Sequence, residues 1–272
     1  MIRRIRWPGW VLIILIALTI FFISGGSVGS STQTVSTVKK EADHELKEMV
    51  LHDKQFLVQK DSEVVNSLDP NEKYIALTFD DGPNSNVTPQ VLEALAEHDA
   101  KATFFMLGSQ ATANPSMAKE IAMAGHEIGN HTNLHQNLVK LDTYDIEEEI
   151  SESARNIEEA SGQYPTMTRP PYGIFDERVE ETATGLGNSL ILWSVDSLDW
   201  KTRNAKKIKE EILNSITPGA IVLMHDIHQE TADALPELLT ALINEGYHFV
   251  TVSEILSLPV DVGAGPYYKV KY

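Results

Sequence analysis

The hydrophobic and polar positions of the chain change their pattern after Asp69-Pro70. From there on, short apolar, β-branched or aromatic runs alternate about seven times with longer amphipathic segments. Such runs are typical of strands, and amphipathic segments are typical of helices. The predicted strands are 74–79, 102–107, 126–130, 167–169, 189–195, 220–224 and 247–252; the predicted helices are about 87–98, 115–124, 142–161, 176–184, 204–215 and 231–245.

This alternation predicts an α/β fold with a parallel sheet. Crossover helices cover both faces of such a sheet, and continuous apolar runs such as Ala220 to Met224 suit strands buried on both faces. A barrel and a doubly wound sheet both fit the pattern. The main domain is expected at 71–258, followed by a C-terminal tail at 259–272 whose glycines and prolines predict irregular structure.

The N-terminal pattern predicts a membrane anchor. Residues 1–6 contain three arginines, and residues 7–24 form an almost unbroken apolar stretch near the lower length limit of a spanning helix. The arginines place the basic segment 1–6 in the cytoplasm and the residues after about 25 outside it. A linker and stalk at 25–70 would then separate the transmembrane anchor from the main domain. A cleaved signal peptide has the same parts, with small residues at 27–30 as a cleavage site, and would give a secreted protein.

The composition excludes some classes of protein. At pH 7 the chain carries a formal net charge of −17, which disfavours nucleic acid and other polyanions as partners. The same acidity also keeps an exported domain soluble. The chain has no cysteine, which excludes a disulfide framework and a lipid-modified N-terminal cysteine. No feature of the sequence predicts a protein partner.

The motif T-F-D-D-G-P, at Thr78 to Pro83, closes the first predicted strand with two adjacent carboxylates. Side chains alternate along a strand, so Asp80 and Asp81 can point in different directions, one towards a metal and the other towards a reacting water. Gly82 permits backbone angles that other residues resist, and Pro83 stops the strand. The alternative is an ordinary polar turn, because Asp, Gly and Pro are the usual turn residues.

The motif H-T-N-L-H, at His131 to His135, directly follows the third predicted strand. Two histidines four residues apart lie on one face of a helical turn, a spacing that suits one metal ion but also occurs by chance on solvated surfaces. Together with one of the aspartates they leave coordination positions open for water and substrate, as in a catalytic zinc site. Position 132 is threonine, so the motif is not the H-E-x-x-H of metallopeptidases, and any general base must come from elsewhere.

Three more polar motifs follow predicted strands: R-P-P-Y-G at 169–173, D-S-L-D-W at 196–200 and L-M-H-D at 223–226. Arg169 could hold an aspartate in place by a bidentate contact, and His225 is a candidate general acid that neighbouring carboxylates would orient. All five motifs therefore fall at the C-terminal ends of predicted strands, the edge where active sites assemble in parallel α/β folds.

Other polar residues have structural explanations. The acidic run Glu147 to Glu149, with Glu152, predicts a solvated helix face. The histidines outside the motifs, among them His126 and His228, lack matching partners in the sequence and are expected at the surface or in packing.

Taken together, the five motifs resemble those of the polysaccharide deacetylases built on the NodB homology domain, carbohydrate esterase family 4. The resemblance covers about residues 71–258, and with the predicted anchor the chain is most similar to the peptidoglycan N-acetylglucosamine deacetylases of Gram-positive bacteria. It implies a distorted (β/α) barrel of about seven strands. It also implies an amide hydrolase that removes N-acetyl groups from a cell-surface polysaccharide, and peptidoglycan is the expected substrate. The protein would be single-pass in the bacterial cell membrane, with its catalytic domain outside the cell.

Position by position, the resemblance implies one divalent metal ion, zinc in the usual case and Co²⁺, Mn²⁺ or Ni²⁺ otherwise. The implied roles are Asp80 as general base; Asp81, His131 and His135 as metal ligands; Arg169 as the residue that orients Asp80; the backbone N–H of Tyr172 as oxyanion donor; His225 as general acid with Asp199 as its partner; and Trp200, Leu223 and Pro171 in the substrate pocket.

Two other hypotheses compete with an N-deacetylase of the cell wall. An acetylxylan esterase or a chitin-oligosaccharide deacetylase would share the motifs, because these build the acetyl site and not the sugar cleft. A catalytically silent glycan-binding protein of the envelope would lack Asp80 or His225, and both are present.

Overall fold

Eight parallel strands joined by helices organise the part of the chain that this computed structural model describes, residues 68–69, 71–257 and 267. Seven of them follow one another in the order β5-β4-β3-β2-β1-β7-β6, and β8 pairs with the N-terminal half of β1. The strands are β1 Lys73–Asp80, β2 Thr103–Met106, β3 Glu127–Asn130, β4 Met167–Thr168, β5 Ser189–Leu190, β6 Val195–Asp196, β7 Ile221–His225 and β8 Tyr247–Phe249.

Within the described residues, nine α-helices and two 3₁₀ turns connect these strands. The α-helices are α1 Thr88–Glu97, α2 Gly108–Ala113, α3 Pro115–Met123, α4 Thr143–Ser161, α5 Glu177–Gly185, α6 Asp199–Thr202, α7 Ala205–Ser215, α8 Gln229–Asn244 and α9 Val252–Leu256; the 3₁₀ turns are Leu138–Lys140 and Pro171–Gly173. Helix α4 begins where the Asp142 side chain accepts from the Asp145 N–H, which satisfies a donor that the helix itself leaves unpaired.

The central strand β1 meets different surroundings on its two faces. It is buried beyond its first residue, because β2 and β7 pair along its C-terminal half and β8 along its N-terminal half. The odd-numbered side chains from Ile75 to Phe79 pack into the larger apolar cluster with residues of α1, α3, α7 and α8. The even-numbered side chains from Tyr74 to Asp80 face the inside of the curved sheet, where a second apolar cluster lies. Because side chains alternate along β1, its outer face packs into the larger apolar cluster, whereas its inner face ends at the carboxylate of Asp80.

The predicted strands and helices are confirmed to within a few residues, with one exception. The single strand predicted at 189–195 is wrong, because the structure has the two short strands β5 and β6 there. Between them the carbonyls of Ile191 and Leu192 accept hydrogen bonds from the Arg169 side chain, which interrupts a regular ladder. Helices α2, α6 and α9 were not predicted, because four to six residues are too few to show helical periodicity.

The distorted (β/α) barrel implied by the resemblance is confirmed. The barrel is open, because the end strands β5 and β6 of the described sheet do not pair with each other. Tyr267, in the segment predicted as an irregular tail, forms an isolated parallel bridge with Ile191. The Tyr267 carbonyl accepts from the Leu192 N–H, and the Tyr267 N–H donates to the Leu190 carbonyl. The tail thus adds one paired residue beside β5.

The predicted membrane anchor at 7–24 and the basic segment before it lie outside the described residues, as does nearly all of the predicted linker and stalk. Within the described residues, no helix combines the length and the apolar character that crossing a membrane requires. Of the predicted tail at 259–272, Tyr267 alone is described.

The close approach of Gly129 and Phe105 leads to a prediction about stability. The two residues are register partners in β3 and β2, and a Cβ built on Gly129 would lie 2.4 Å from the Phe105 ring. We expect Gly129→Ala to lower the free energy of unfolding by roughly 1–3 kcal/mol, the usual cost of overpacking a buried site. Denaturant unfolding measures the difference.

Gly185→Ala is the matched control, because a Cβ on Gly185, at the end of α5, meets nothing within 4 Å. This substitution should not decrease the free energy of unfolding. Equal losses in the two variants would contradict the packing of Phe105 over Gly129.

Candidate active site

The two adjacent carboxylates at the end of β1 occupy different environments. Asp80 is the last residue of the strand and is 2% exposed. Asp81 adopts the left-handed conformation, with φ of 73°, and its side chain is 21% exposed. The chain therefore encloses one carboxylate and presents the other at a cleft.

The side chain of Asp226 packs against Gly82, in the turn after Asp81. A Cβ on Gly82 would lie 2.2 Å from the Oδ1 of Asp226, so only glycine permits this close approach. Thr88 Oγ1 donates to the other oxygen, Oδ2, at 2.5 Å. Burial raises the pKa of Asp226 to about 7, and the hydrogen bond from Thr88 opposes the rise. The last residue of L-M-H-D thus packs against the first motif, a contact that sequence reasoning missed.

Arg169 is fully buried, and each of its three guanidinium nitrogens donates at least one hydrogen bond, four in all. Nη1 donates to Asp80 Oδ1 and to Thr78 Oγ1, each at 2.7 Å. Nε and Nη2 donate to the backbone carbonyls of Ile191 at 3.3 Å and Leu192 at 3.0 Å. The expected bidentate contact is therefore wrong: one nitrogen reaches Asp80, because the other donors hold the segment that follows β5.

The surroundings of Asp80 set its acidity. Burial raises the pKa of this carboxyl group, while the positive charges of Arg169 and His225 oppose the rise. His225 comes this close because it is the register partner of Asp80 in the neighbouring strand β7. A buried carboxylate with an elevated pKa accepts a proton more readily than a solvated one.

The two histidines of H-T-N-L-H converge, although not on a helical turn. Residues 131–135 form an irregular loop after β3, so the expected helical geometry is wrong. Positive φ angles at Thr132 (68°) and His135 (58°) bend this loop. The ring centroids of His131 and His135 consequently lie 5.0 Å apart.

His131 is held as a neutral imidazole. Its Nδ1 donates to the Arg169 carbonyl at 2.7 Å, which fixes the ring and turns Nε2 towards the carboxylates of Asp80 and Asp81. Burial lowers the pKa of His131 to about 3, although the charge of Asp81 opposes the decrease. A neutral imidazole with a lone pair on Nε2 is the form that binds metal ions.

Asp81, His131 and His135 fit a single divalent metal ion. The Oδ1 of Asp81 lies 3.5 Å from Nε2 of His131 and 3.4 Å from Nε2 of His135. Two ligands that are each about 2.0–2.1 Å from one ion in tetrahedral geometry lie roughly 3.4 Å apart. The Oδ1 of Asp81 is buried and has no hydrogen-bond partner among the described residues. One carboxylate oxygen and two imidazole nitrogens are a donor set that suits first-row divalent ions.

His225 is coupled to Asp199. Its Nδ1 donates to Oδ1 of Asp199 at 2.8 Å, and Oδ2 accepts from the His225 N–H and from Thr231, each at 2.7 Å. Burial by itself lowers the pKa of His225, but the hydrogen bond and charge of Asp199 outweigh it and raise the pKa to about 9. The imidazole is therefore protonated at neutral pH, with Nε2 available to a bound molecule.

These groups meet in a cleft of about 400 Å³ at the C-terminal edge of the sheet, where parallel α/β folds place their sites. Besides the carboxylates and imidazoles of Asp80, Asp81, His131, His135 and His225, its walls are formed by Tyr172, Trp193, Asp196, Trp200 and Leu223. The five predicted motifs therefore contribute to one site, with the buried side chains of Arg169 and Asp199 behind its wall.

The turn Pro171–Gly173 exposes one predicted residue and buries another. Tyr172 has φ of 61° and is 60% exposed, and its ring centroid lies 4.6 Å from that of His135. Pro171 is buried beside it, and its place in the substrate pocket stays a prediction. The motif alone does not reveal which of these two neighbouring side chains is exposed.

The structure adds two residues to the cleft wall, Trp193 and Asp196, and one neighbour of His225 that sequence reasoning missed. Trp193 lies between β5 and β6, where the prediction of one continuous strand concealed it. Asp196 accepts from the Trp200 Nε1 at 3.4 Å. Its position in the motif D-S-L-D-W could have indicated that it belongs to the site. The ring of His228 lies 5.6 Å from that of His225, although nothing in the sequence pairs them.

One residue of the acidic run is not part of a solvated helix face. Glu147, Glu148 and Glu152 are exposed on α4 as expected, but Glu149 is only 6% exposed. Helical spacing explains the difference, since Glu149 shares its side of α4 with the buried Ile146, Ile150 and Ser153.

Comparisons with known proteins agree with this architecture. The family model for polysaccharide deacetylases matches residues 67–191. The peptidoglycan-N-acetylglucosamine deacetylase PgdA of Listeria monocytogenes is 44% identical over 191 residues, which cover 70% of this chain and 40% of that protein. The peptidoglycan-N-acetylmuramic acid deacetylase PdaC of Bacillus subtilis is 40% identical over 189 residues, with the same two shares. The chain thus spans about 40% of the length of these two relatives.

Solved structures support the same relationship. The structure of PdaC from Bacillus subtilis has a TM-score of 0.66 and 39% identity, and the match covers 70% of this chain and 92% of that one. A CE4 family pseudoenzyme from Bacillus anthracis has a TM-score of 0.66 and 35% identity, with 71% of this chain and 69% of that one covered. Because the family includes a pseudoenzyme, activity has to be argued from the site. The sequence identity, the shared barrel and the family model together establish that the chain belongs to the polysaccharide deacetylase family, CE4.

Proposed function

We propose that the protein is a metal-dependent deacetylase that removes N-acetyl groups from N-acetylglucosamine residues of peptidoglycan. The observation that carries this proposal is the arrangement of Asp80 and His225, which are register partners beside the candidate metal ligands. A basic group and an acidic group at one cleft are what amide hydrolysis requires. The relatives named as peptidoglycan deacetylases support the choice of substrate.

Asp80 would act as the general base. An ion held by Asp81, His131 and His135, with zinc as the best fit to this donor set, supplies Lewis-acid chemistry that activates water and polarises the acetyl carbonyl. Asp80 accepts the proton of the attacking water, and its burial and elevated pKa suit this step. Arg169 holds the carboxylate in position through Oδ1, which leaves Oδ2 for the water.

His225 would act as the general acid. An amide nitrogen leaves poorly unless it is protonated, and the pKa of about 9 keeps the His225 imidazole charged at neutral pH. Asp199 binds Nδ1, so Nε2 is the nitrogen that donates the proton. The same carboxylate stabilises the cation before the transfer.

The remaining wall residues would bind the substrate. The backbone N–H of Tyr172 donates to no acceptor among the described residues and is free to stabilise the developing oxyanion. Trp200 and Leu223 flank the space for the acetyl methyl group. The exposed rings of Tyr172 and Trp200 offer apolar surfaces to a sugar.

We also propose that the protein acts at the outer face of the bacterial cell membrane. The three arginines of segment 1–6 and the apolar stretch 7–24 support a single-pass anchor with the deacetylase domain outside the cell. Such an anchor would keep the enzyme beside the wall polymer.

N-acetylmuramic acid is the second candidate substrate, favoured by the 40% identity to PdaC, which is named for that sugar. The two sugars differ at the lactyl ether, which lies outside the acetyl site. The catalytic residues therefore do not discriminate between them.

The first prediction from the proposed function is the substrate and the requirement for a metal ion. We expect the purified full chain to release acetate from N-acetylated peptidoglycan, and we expect a chelator to abolish this release. O-acetylated xylan, chitin oligosaccharides and glycan enriched in N-acetylmuramic acid serve as parallel substrates. Release from xylan alone would make the protein an esterase, whereas no release from any of them would indicate a silent glycan-binding protein.

The second prediction separates metal binding from proton transfer. His131→Ala and Asp80→Asn should each reduce turnover to background, because the first removes a ligand and the second removes the base. Only His131→Ala should markedly lower zinc content, measured by elemental analysis beside activity. Full activity in Asp80→Asn would contradict the role of that carboxylate.

The third prediction concerns pH. His225 must be protonated to act as an acid, so activity should fall as the pH rises through its pKa of about 9. Asp199→Asn removes the carboxylate that raises this pKa, so the alkaline limb of the pH profile should move to lower pH by about 1 unit or more. The exposed Asp233→Asn on α8 is the control, and its limb should not move. An unchanged limb in Asp199→Asn would exclude His225 as the acid.

A further inference from the structure

The loop that carries both histidine ligands adopts an unfavourable backbone conformation. Thr132 and His135 have φ angles of 68° and 58°, in the left-handed region that residues other than glycine rarely adopt. Such conformations persist only where the surrounding structure determines them. The convergence of His131 and His135 therefore depends on contacts that hold the loop from outside.

Glu149 provides the most direct of these contacts. Its Oε2 accepts from the backbone N–H of Asn133 at 3.0 Å and from that of Leu134 at 2.9 Å. Its Oε1 accepts from Gln136 Nε2 at 2.8 Å. One buried carboxylate thus binds the two backbone amides between the histidines and the side chain that follows them.

Helix α4 makes these contacts from a rigid support. Ser153 lies one helical turn after Glu149 and donates to the Thr132 carbonyl at 3.0 Å. Asn156 adds a contact to the Asn133 side chain at 3.2 Å. The buried side of α4 therefore follows the loop, and Glu149 is the member that binds its centre.

We propose that Glu149 is a positioning residue that sets the metal affinity of the site by holding loop 131–135 in its strained conformation. This inference rests on the proposed metal site formed by Asp81, His131 and His135. Glu149 would touch neither the ion nor the substrate. It acts through backbone amides, and loss of a group that orients metal ligands lowers metal affinity by roughly 10- to 100-fold.

Two conservative substitutions separate position from charge. In Glu149→Gln, the amide oxygen can still accept from both backbone N–H groups, and a rotated Gln136 amide can accept from the new NH₂. In Glu149→Asp, the charge remains, but the carboxylate is one methylene shorter and withdraws from the loop. A positioning role therefore predicts that Gln preserves function and Asp does not.

The experiment measures zinc affinity by competition with a chromophoric chelator, using the full chain after its metal has been removed. We expect Glu149→Ala and Glu149→Asp to weaken zinc binding by roughly tenfold or more, and Glu149→Gln to remain within about threefold of the wild type. Glu148→Ala, at an exposed position of the same helix, is the matched control and should bind as the wild type does. Thermal unfolding of each metal-free variant reports whether its fold is intact.

The outcomes distinguish this inference from the proposed function. A wild type that binds no zinc would overturn the metal site and, with it, the role of Glu149. A wild type that binds zinc, together with folded Ala and Asp variants of unchanged affinity, would overturn the role of Glu149 alone. Strong binding by Glu149→Asp with weak binding by Glu149→Gln would also overturn it, because charge and not position would then matter. If Glu149→Ala does not fold, the comparison of Gln with Asp decides.

Discussion

The buried contact between Arg169 and Asp80 is the constraint on which the rest of the site depends. A guanidinium with no exposure must satisfy its donors inside the protein, because an unpaired buried charge costs several kcal/mol, about 3–5 when one partner of such a pair is removed. Arg169 donates hydrogen bonds to Asp80 and to the carbonyls of Ile191 and Leu192. These two carbonyls therefore accept from a side chain and not from a neighbouring strand, at the point where the chain passes from β5 to β6.

The same residue also organises the ligand loop. The backbone carbonyl of Arg169 accepts from Nδ1 of His131, so the residue that fixes the candidate base through its side chain fixes a candidate ligand through its main chain. The side chain of Arg169 can bind both Thr78 and Asp80 because side chains alternate along β1, which places these two residues on the same, inner face. From Ile75 to Phe79 the outer face of β1 is apolar and packs against the helices, so the buried charges of the strand lie on its inner side.

What could be predicted from the sequence follows from how far each residue's partners lie along the chain. Strand runs and the motifs at their ends are local signals, and they located the sheet and its functional edge. The loop at 131–135 was misassigned as a helical turn, because its positive φ angles at Thr132 and His135 and its hydrogen bonds to helix α4 do not show in the motif. Glu149 was predicted to be one more solvated carboxylate because the acidic run was considered as a whole, although its helical spacing from Ile146, Ile150 and Ser153 places it on the buried side. A run of acidic letters does not show which member faces inward.

Two imidazoles in one cleft, those of His131 and His225, have different roles because their environments differ. Both His131 and His225 are largely buried, yet the pKa of the first is lowered to about 3 and that of the second is raised to about 9. Burial lowers both pKa values, but in His225 the hydrogen bond and charge of Asp199 at Nδ1 outweigh it, whereas Nδ1 of His131 faces a neutral carbonyl. One histidine is therefore kept neutral, as a ligand must be, and the other is kept charged, as an acid must be. A family member could retain the barrel and lose either condition by a single substitution behind the cleft wall, which is why the fold alone does not establish activity.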